Sequence, residues 1–157
     1  MTQNQRTGSD GGRGSGSPGA FSQWVQRRMN AFTNTRIRRG RSKLMGMDVL
    51  ILHTVGRRSG QRRETPLAWF DGGEDARLII ASGGGARHPD WYANLVAHTD
   101  QVSIELPGRD AVPVTASRLE GADREQAWGR ITAAQPRYAK YQSKSDREYP
   151  VIRLTPR

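Results

Sequence analysis

Three short apolar runs crowd the stretch between Asp48 and Ser82: DVLILHTV (Asp48 to Val55), ETPLAWF (Glu64 to Phe70) and ARLIIAS (Ala76 to Ser82). Each is brief, rich in β-branched or aromatic residues and bounded by glycine or charge, which is the pattern of strands. GRRSGQRR separates the first from the second, and DGGED supplies a hairpin turn before the third, so the three are expected to run as a meander. Downstream, QVSIEL and DAVPVTASRL read as another hairpin around Pro107 and Gly108, and YPVIRLT as a last strand. Two helices interrupt them. HPDWYANLVAH (His88 to His98) has Pro89 near its first turn and turns Trp91, Leu95 and Tyr92 inward; GADREQAWGRITAAQ (Gly121 to Gln135) places Ala127, Trp128, Ile131 and Ala134 on one side. Six strand candidates without repeated βαβ alternation argue for an α+β antiparallel barrel and against a doubly wound sheet.

Upstream the character changes twice. Residues 1–20 hold six glycines with Ser9, Ser15, Ser17 and Pro18 and no apolar cluster to offset ordering entropy, so a disordered tail is expected there. From Phe21, the residues Phe21, Trp24, Val25, Met29 and Phe32 form one stripe of an amphipathic helix flanked by Arg27 and Arg28. Packing of that stripe on the protein's own core is the commoner use; contact with lipid phosphates through an interfacial helix is the other. The division expected is therefore a tail (1–20), a basic helix and connector (21–45) and a barrel domain (46–157).

Composition removes several classes of chemistry. Cysteine is absent, and His53, His88 and His98 form no H-x-x-x-H pair, so neither a disulfide framework nor a metal site is expected. Hydrophobic residues make up 34% of the chain and the mean hydropathy is -0.77, too low for a membrane-spanning helix. The start MTQNQRTGSDGG shows no apolar secretory region, and the expected location is cytoplasmic. The net charge of +10 is concentrated: residues 21–63 carry eleven basic side chains against Asp48 alone. An anionic partner should meet this surface, and nucleic acid, an anionic membrane and a phosphorylated or polycarboxylate small molecule satisfy the electrostatics equally.

Chemistry-bearing residues gather in three places. Gly56-Arg57-Arg58-Ser59-Gly60-Gln61-Arg62-Arg63 combines glycines, which let backbone N–H groups face one way, with guanidinium groups suited to phosphate or carboxylate. It has neither P-loop nor G-x-G-x-x-G spacing, and a solvated hairpin turn explains it about as well. Ser82-Gly83-Gly84-Gly85-Ala86 follows an apolar strand and would let a ligand approach the backbone closely, although a plain turn is the simpler account. Tyr138 and Tyr141, at i and i+3 after Pro136, offer hydroxyls for a reacting oxygen or rings for packing. His53 lies in an apolar strand and reads as a satisfied core residue. No nucleophile elbow, triad or paired carboxylate emerges, so an enzyme of this sequence would rely on a cofactor.

TVGRRSGQRRETPLAWF, IIASGGGARHPDWYANL and PRYAKYQSKSDREYPVIRL, in that order, resemble the deazaflavin-dependent nitroreductase family of actinobacteria over about Met47 to Leu154. The resemblance implies a split β-barrel and coenzyme F420, a deazaflavin whose phosphate-linked oligoglutamate tail is the anion the charge map calls for. It further implies that Arg57, Arg58, Ser59 and Arg63 hold that tail, that Pro66, Leu67, Ala81, Ser82 and Trp91 line the ring pocket, and that Tyr138, Tyr141 and Ser82 face the reacting side. Reduced deazaflavin donates hydride, so the expected acceptors are quinones, activated nitro compounds and enones. The sequence departs from the family pattern at Gln135, Gly83, Ala68 and Asp90, which bears on acceptor identity more than on the cofactor. A basic module binding nucleic acid or membrane would explain the charge but not these motifs; a split barrel holding FMN or haem is the remaining alternative.

Overall fold

In a computed structural model that describes residues 19–83 and 86–157, four helices surround one curled antiparallel sheet. The elements run α1 (Gly19–Arg38), β1 (Lys43–Leu44), β2 (Met47–Val55), β3 (Arg62–Ala68), β4 (Phe70–Asp71), β5 (Arg77–Ile80), α2 (Asp90–Ala97), β6 (Ser103–Glu105), β7 (Val112–Arg118), α3 (Gly121–Ala134), α4 (Arg137–Ser143) and β8 (Val151–Pro156). The eight strands hydrogen-bond in the order β1-β2-β6-β7-β8-β5-β4, with β3 on the other side of β2. All pairings are antiparallel. The expected α+β split barrel is thus present, and the two strands beyond the six expected are two-residue pieces, β1 and β4.

The expected meander does not form. β3 pairs with β2 from Val49↔Ala68 to Val55↔Arg62, but β5 pairs with β8 and with β4, not with β3. ETPLAWF is broken at Trp69, whose N–H donates to the Asp48 carbonyl (3.0 Å). Beyond it Phe70 and Asp71 turn to the β5 ladder. One apolar run therefore rounds a barrel corner and serves two ladders, which its composition does not reveal. The DGGED turn behaves as read: Gly73, Glu74 and Asp75 all have positive φ.

Strand alternation separates two packing faces. Leu50 and Leu52 of β2 point into a core with Ile79, Ala81, Trp91, Tyr92, Leu95 and Ile104. Leu78, Ile80 and Val151 point the other way, against Ala127 and Ile131 of α3 and Tyr138 of α4. On α3, Trp128 is only half-buried and Ala134 is exposed, while Arg124 joins the buried side. Helix α1 covers Val49 and Ile51 through Ile37, and Asn34 is buried beside that contact. Met29 and Phe32 of the expected inward stripe remain outside, 65% and 61% exposed. The helix consequently packs by a different face near its C-terminus. Of the tail read over residues 1–20, residues 1–18 lie outside the described residues, as do the side chains of Phe21, Trp24 and Val25, while Gly19 and Ala20 belong to the helix.

Candidate active site

The β2–β3 hairpin sets the axis of the site. At its tip the Gly56 N–H donates to the Gln61 carbonyl (2.8 Å) and the Gly60 N–H to the Gly56 carbonyl (2.9 Å), so the arginine loop closes on itself. A Cβ at Gly56 would come within 2.5 Å of Ser59 Oγ, so a larger residue there would push that hydroxyl out of its place in the turn. Ser59 Oγ accepts from the Gln61 N–H (3.2 Å). The arginines then divide. Arg57 is tied inward: its backbone N–H and its Nη1 both donate to Asn94 Oδ1 (3.0 and 2.9 Å), and its Nη2 lies 3.3 Å from Asp90 Oδ1. Arg58, Arg62 and Arg63 pair with no carboxylate among the described residues; the first two are exposed and the third half-buried.

Toward the opposite end of the hairpin a cleft of about 210 Å³ is lined by Met47, Val49, Pro66, Leu67, Ala68, Ile80, Ser82 and Tyr138. Eight strand steps separate Met47 from Val55, about 26 Å at ~3.3 Å each. The cleft reaches closer to the tip than Met47, because Pro66 pairs with Ile51, four strand steps from Val55, about 13 Å. A second cavity of about 450 Å³ shares Met47 with this cleft and includes Trp69, Phe70, Arg77 and Gln135.

Tyr138 is 8% exposed, with its hydroxyl 3.8 Å from Met47 Sδ and its ring edge-on to Phe70 and to Tyr141. Burial pushes its pKa up, so the phenol stays protonated and able to donate. Tyr141 is 46% exposed and lines neither cavity. Among the residues singled out in the sequence, Pro66, Leu67, Ser82 and Tyr138 meet in one cleft. Ala81 and Trp91 sit in the core beneath it.

Two groups with a share in the site went unread in the sequence. Asn94, 6% exposed on α2, receives both Arg57 donors; only its place in the PDWYANL motif marked it. Arg147 reaches back from the α4–β8 connection to the carbonyls of Ala81, Ser82 and Gly83. Away from the cleft, His53 is bonded as a satisfied residue, with Nε2 2.9 Å from Glu105 Oε2. Glu64 completes a trio with ligand atoms within 4.8 Å of one another, but Arg38 Nη2 lies 2.8 Å from both carboxylates and already supplies the positive charge.

The donor set fits a coenzyme of mixed character. Guanidinium groups without carboxylate partners suit phosphate and carboxylate, the apolar cleft suits a flat ring, and Ser82 and Tyr138 bring hydroxyl-bearing side chains to the same cleft.

Comparison with known proteins places the chain in a family. The family model described as F420H(2)-dependent quinone reductase matches residues 24–156. The F420H(2)-dependent quinone reductase Rv1261c of Mycobacterium tuberculosis (strain ATCC 25618 / H37Rv) is 41% identical over 112 residues, which cover 69% of this chain and 73% of that protein. A solved F420-H2 dependent reductase, FDR-A, superposes with a TM-score of 0.59 at 36% identity, covering 68% of this chain and 92% of its own. HutZ, the heme storage protein from Vibrio cholerae, superposes at 0.53 with 15% identity, a likeness of fold alone. The family match spans the hairpin, the cleft and the tyrosine helix together, and the chain belongs to the F420H(2)-dependent quinone reductase family.

Proposed function

We propose that the arginine loop anchors the phosphate and glutamate tail of coenzyme F420, that the Pro66–Leu67–Ser82–Tyr138 cleft seats its ring, and that a quinone is reduced against that ring. When bound, the reduced coenzyme supplies the hydride. Arg58 and Arg63 give the tail charge-assisted bonds, while Arg57, fixed by Asn94, holds the loop in place for them. Pro66, Leu67 and Val49 exclude water from the ring's face. Tyr138 keeps its proton at Oη and can donate it toward an oxygen that gains negative charge as the acceptor is reduced. Nitro compounds and enones present oxygens of the same kind and belong to the same proposal.

The observation that carries this reading is the alignment of uncompensated arginines at one end of a single hairpin with an apolar, hydroxyl-bearing cleft toward the other. A nucleic-acid module would use the arginines and leave the cleft without a role. Titration of tryptophan fluorescence with coenzyme F420 and with FMN at one ionic strength tests it. Selective quenching by the deazaflavin is expected; equal or preferential response to FMN would overturn it.

A second proposal concerns location. Met29 and Phe32 are exposed on a helix without acidic residues, and the Arg36 guanidinium lies 4.5 Å from the Phe32 ring centroid. This suits a cytoplasmic protein that rests peripherally on an anionic bilayer, where quinones reside. No described helix is long and apolar enough to cross a membrane. Sedimentation with anionic vesicles should fall with salt and in a Phe32→Ser variant; binding to neutral vesicles alone, or to none, would refute the contact.

A further inference from the structure

Arg147 stands 64 residues from Gly83 in sequence, yet its guanidinium spans the loop that leaves β5. Nη1 donates to the Ala81 carbonyl (2.9 Å), and Nη2 to the carbonyls of Ser82 (3.2 Å) and Gly83 (2.6 Å). Nη1 also lies 3.2 Å from His88 Nδ1. Desolvation first, then the nearby Arg147 and Arg118 charges, hold the His88 pKa below its ordinary value, so this nitrogen is a neutral acceptor. The arginine is itself braced. Its carbonyl accepts from Gln142 Nε2 (2.8 Å) and Ser145 Oγ (3.2 Å), and its guanidinium lies over the Tyr149 ring (4.8 Å).

In an extended strand successive carbonyls point to opposite sides. Three in a row gathered by one cation mean that the peptide planes here turn the same way. No described peptide bond is cis, and across a trans peptide the N–H opposes the preceding carbonyl. The Ser82 and Gly83 N–H groups therefore point away from Arg147, and neither has an acceptor among the described residues. Ser82 lines the cleft. Consecutive N–H groups aimed one way form a cradle for an electron-rich oxygen.

We propose that Arg147 is a positioning residue: by collecting the Ala81, Ser82 and Gly83 carbonyls it presents the Ser82 and Gly83 N–H groups to the cleft as a donor pair for a carbonyl or enolate oxygen. This rests on the coenzyme reading of the cleft. The oxygen belongs either to the ring of the coenzyme or to the quinone, and the donors are the same for both. Because Gln142 lies on α4, Arg147 also ties the loop to the helix that carries Tyr138, so backbone donors and phenol share one brace.

Amide resonances of Ser82 and Gly83 in the ¹⁵N-labelled full chain test the pair directly. Addition of oxidised coenzyme F420 should shift both and slow their hydrogen exchange roughly ten-fold or more, the loss of one free donor site. If they respond only when a naphthoquinone is added to the coenzyme-loaded protein, the oxygen is the acceptor's. Coenzyme binding with neither amide responding to either addition would overturn the proposal. Failure of the wild-type protein to bind coenzyme in the fluorescence titration would instead defeat the reading of the cleft, and this proposal with it. Arg147→Lys keeps the charge but not the fork; at saturating coenzyme its kcat should fall roughly ten-fold or more, beyond any change in Tm. Guanidinium ion should partly restore kcat in Arg147→Ala. A kcat loss that merely follows Tm, without rescue, would return Arg147 to a structural role; should both variants fail to fold, the wild-type amide response decides.

Discussion

Tyr138 and the arginines of the β2–β3 loop show how individual side chains divide between building the site and working in it. Tyr138→Phe deletes only the hydroxyl, leaving the ring against Phe70 and Tyr141. Steady-state kinetics with a quinone should show kcat lowered roughly ten- to a hundred-fold with coenzyme affinity near wild type. An unchanged kcat where hydride transfer limits turnover would assign the phenol to packing. Arg63→Ala and Arg57→Ala should differ in kind. Loss of Arg63 removes a charge-assisted bond worth about 1.5–3 kcal/mol, so Kd should rise roughly ten-fold or more while Tm holds. Loss of Arg57 leaves buried Asn94 Oδ1 with only the backbone donor, so both Tm and affinity should fall. Matching effects on Tm would remove this distinction. The sequence showed four arginines in one loop; it could not show which faces Asn94, because that contact joins residues 37 apart. Arg147 was hidden for the same reason.

At the scale of elements, helix α1 is fastened by Ile37 and by a charged knot in which Arg38 bonds Glu64 and Glu105. Burial alone would raise the Glu105 pKa, but the bonds from Arg38 and His53 outweigh it and hold the carboxyl below its ordinary value. A carboxylate depressed in the folded state contributes stability that is complete above the ordinary carboxylate range and is lost as pH falls through the lowered value. Solvent around Arg38 keeps that contribution small, about 1 kcal/mol. Glu105→Gln should therefore lower Tm by about 2–4 °C near neutrality, and the gap from wild type should close as the solution is acidified. A gap independent of pH would mean that the pair is held by packing alone. Six of the strands and three of the helices were legible, because their periodicity or composition is local. The β3–β4 corner was not, since Trp69 continues the apolar pattern while its N–H leaves for Asp48. Nor was the docking face of α1, where one residue, Ile37, outweighs the larger stripe at Met29 and Phe32.

The whole molecule is electrically lopsided, with the +10 of residues 21–63 set against a nearly neutral remainder. Coenzyme binding should accordingly weaken as salt rises from about 20 to 300 mM, chiefly through a slower association rate in stopped flow. A salt-independent association rate would mean that the arginines act only after contact. The order of the sheet has a consequence in time. β8 is the last strand along the chain but lies between β5 and β7, bonded to both. The strands on either side are made before it and, among the described residues, share no ladder that joins them directly. During synthesis, β5 with its glycine loop and Ile79 must wait beside β7 until Val151–Pro156 arrives, so the nascent chain passes through an interval with two open sheet edges that only its final strand can zip together.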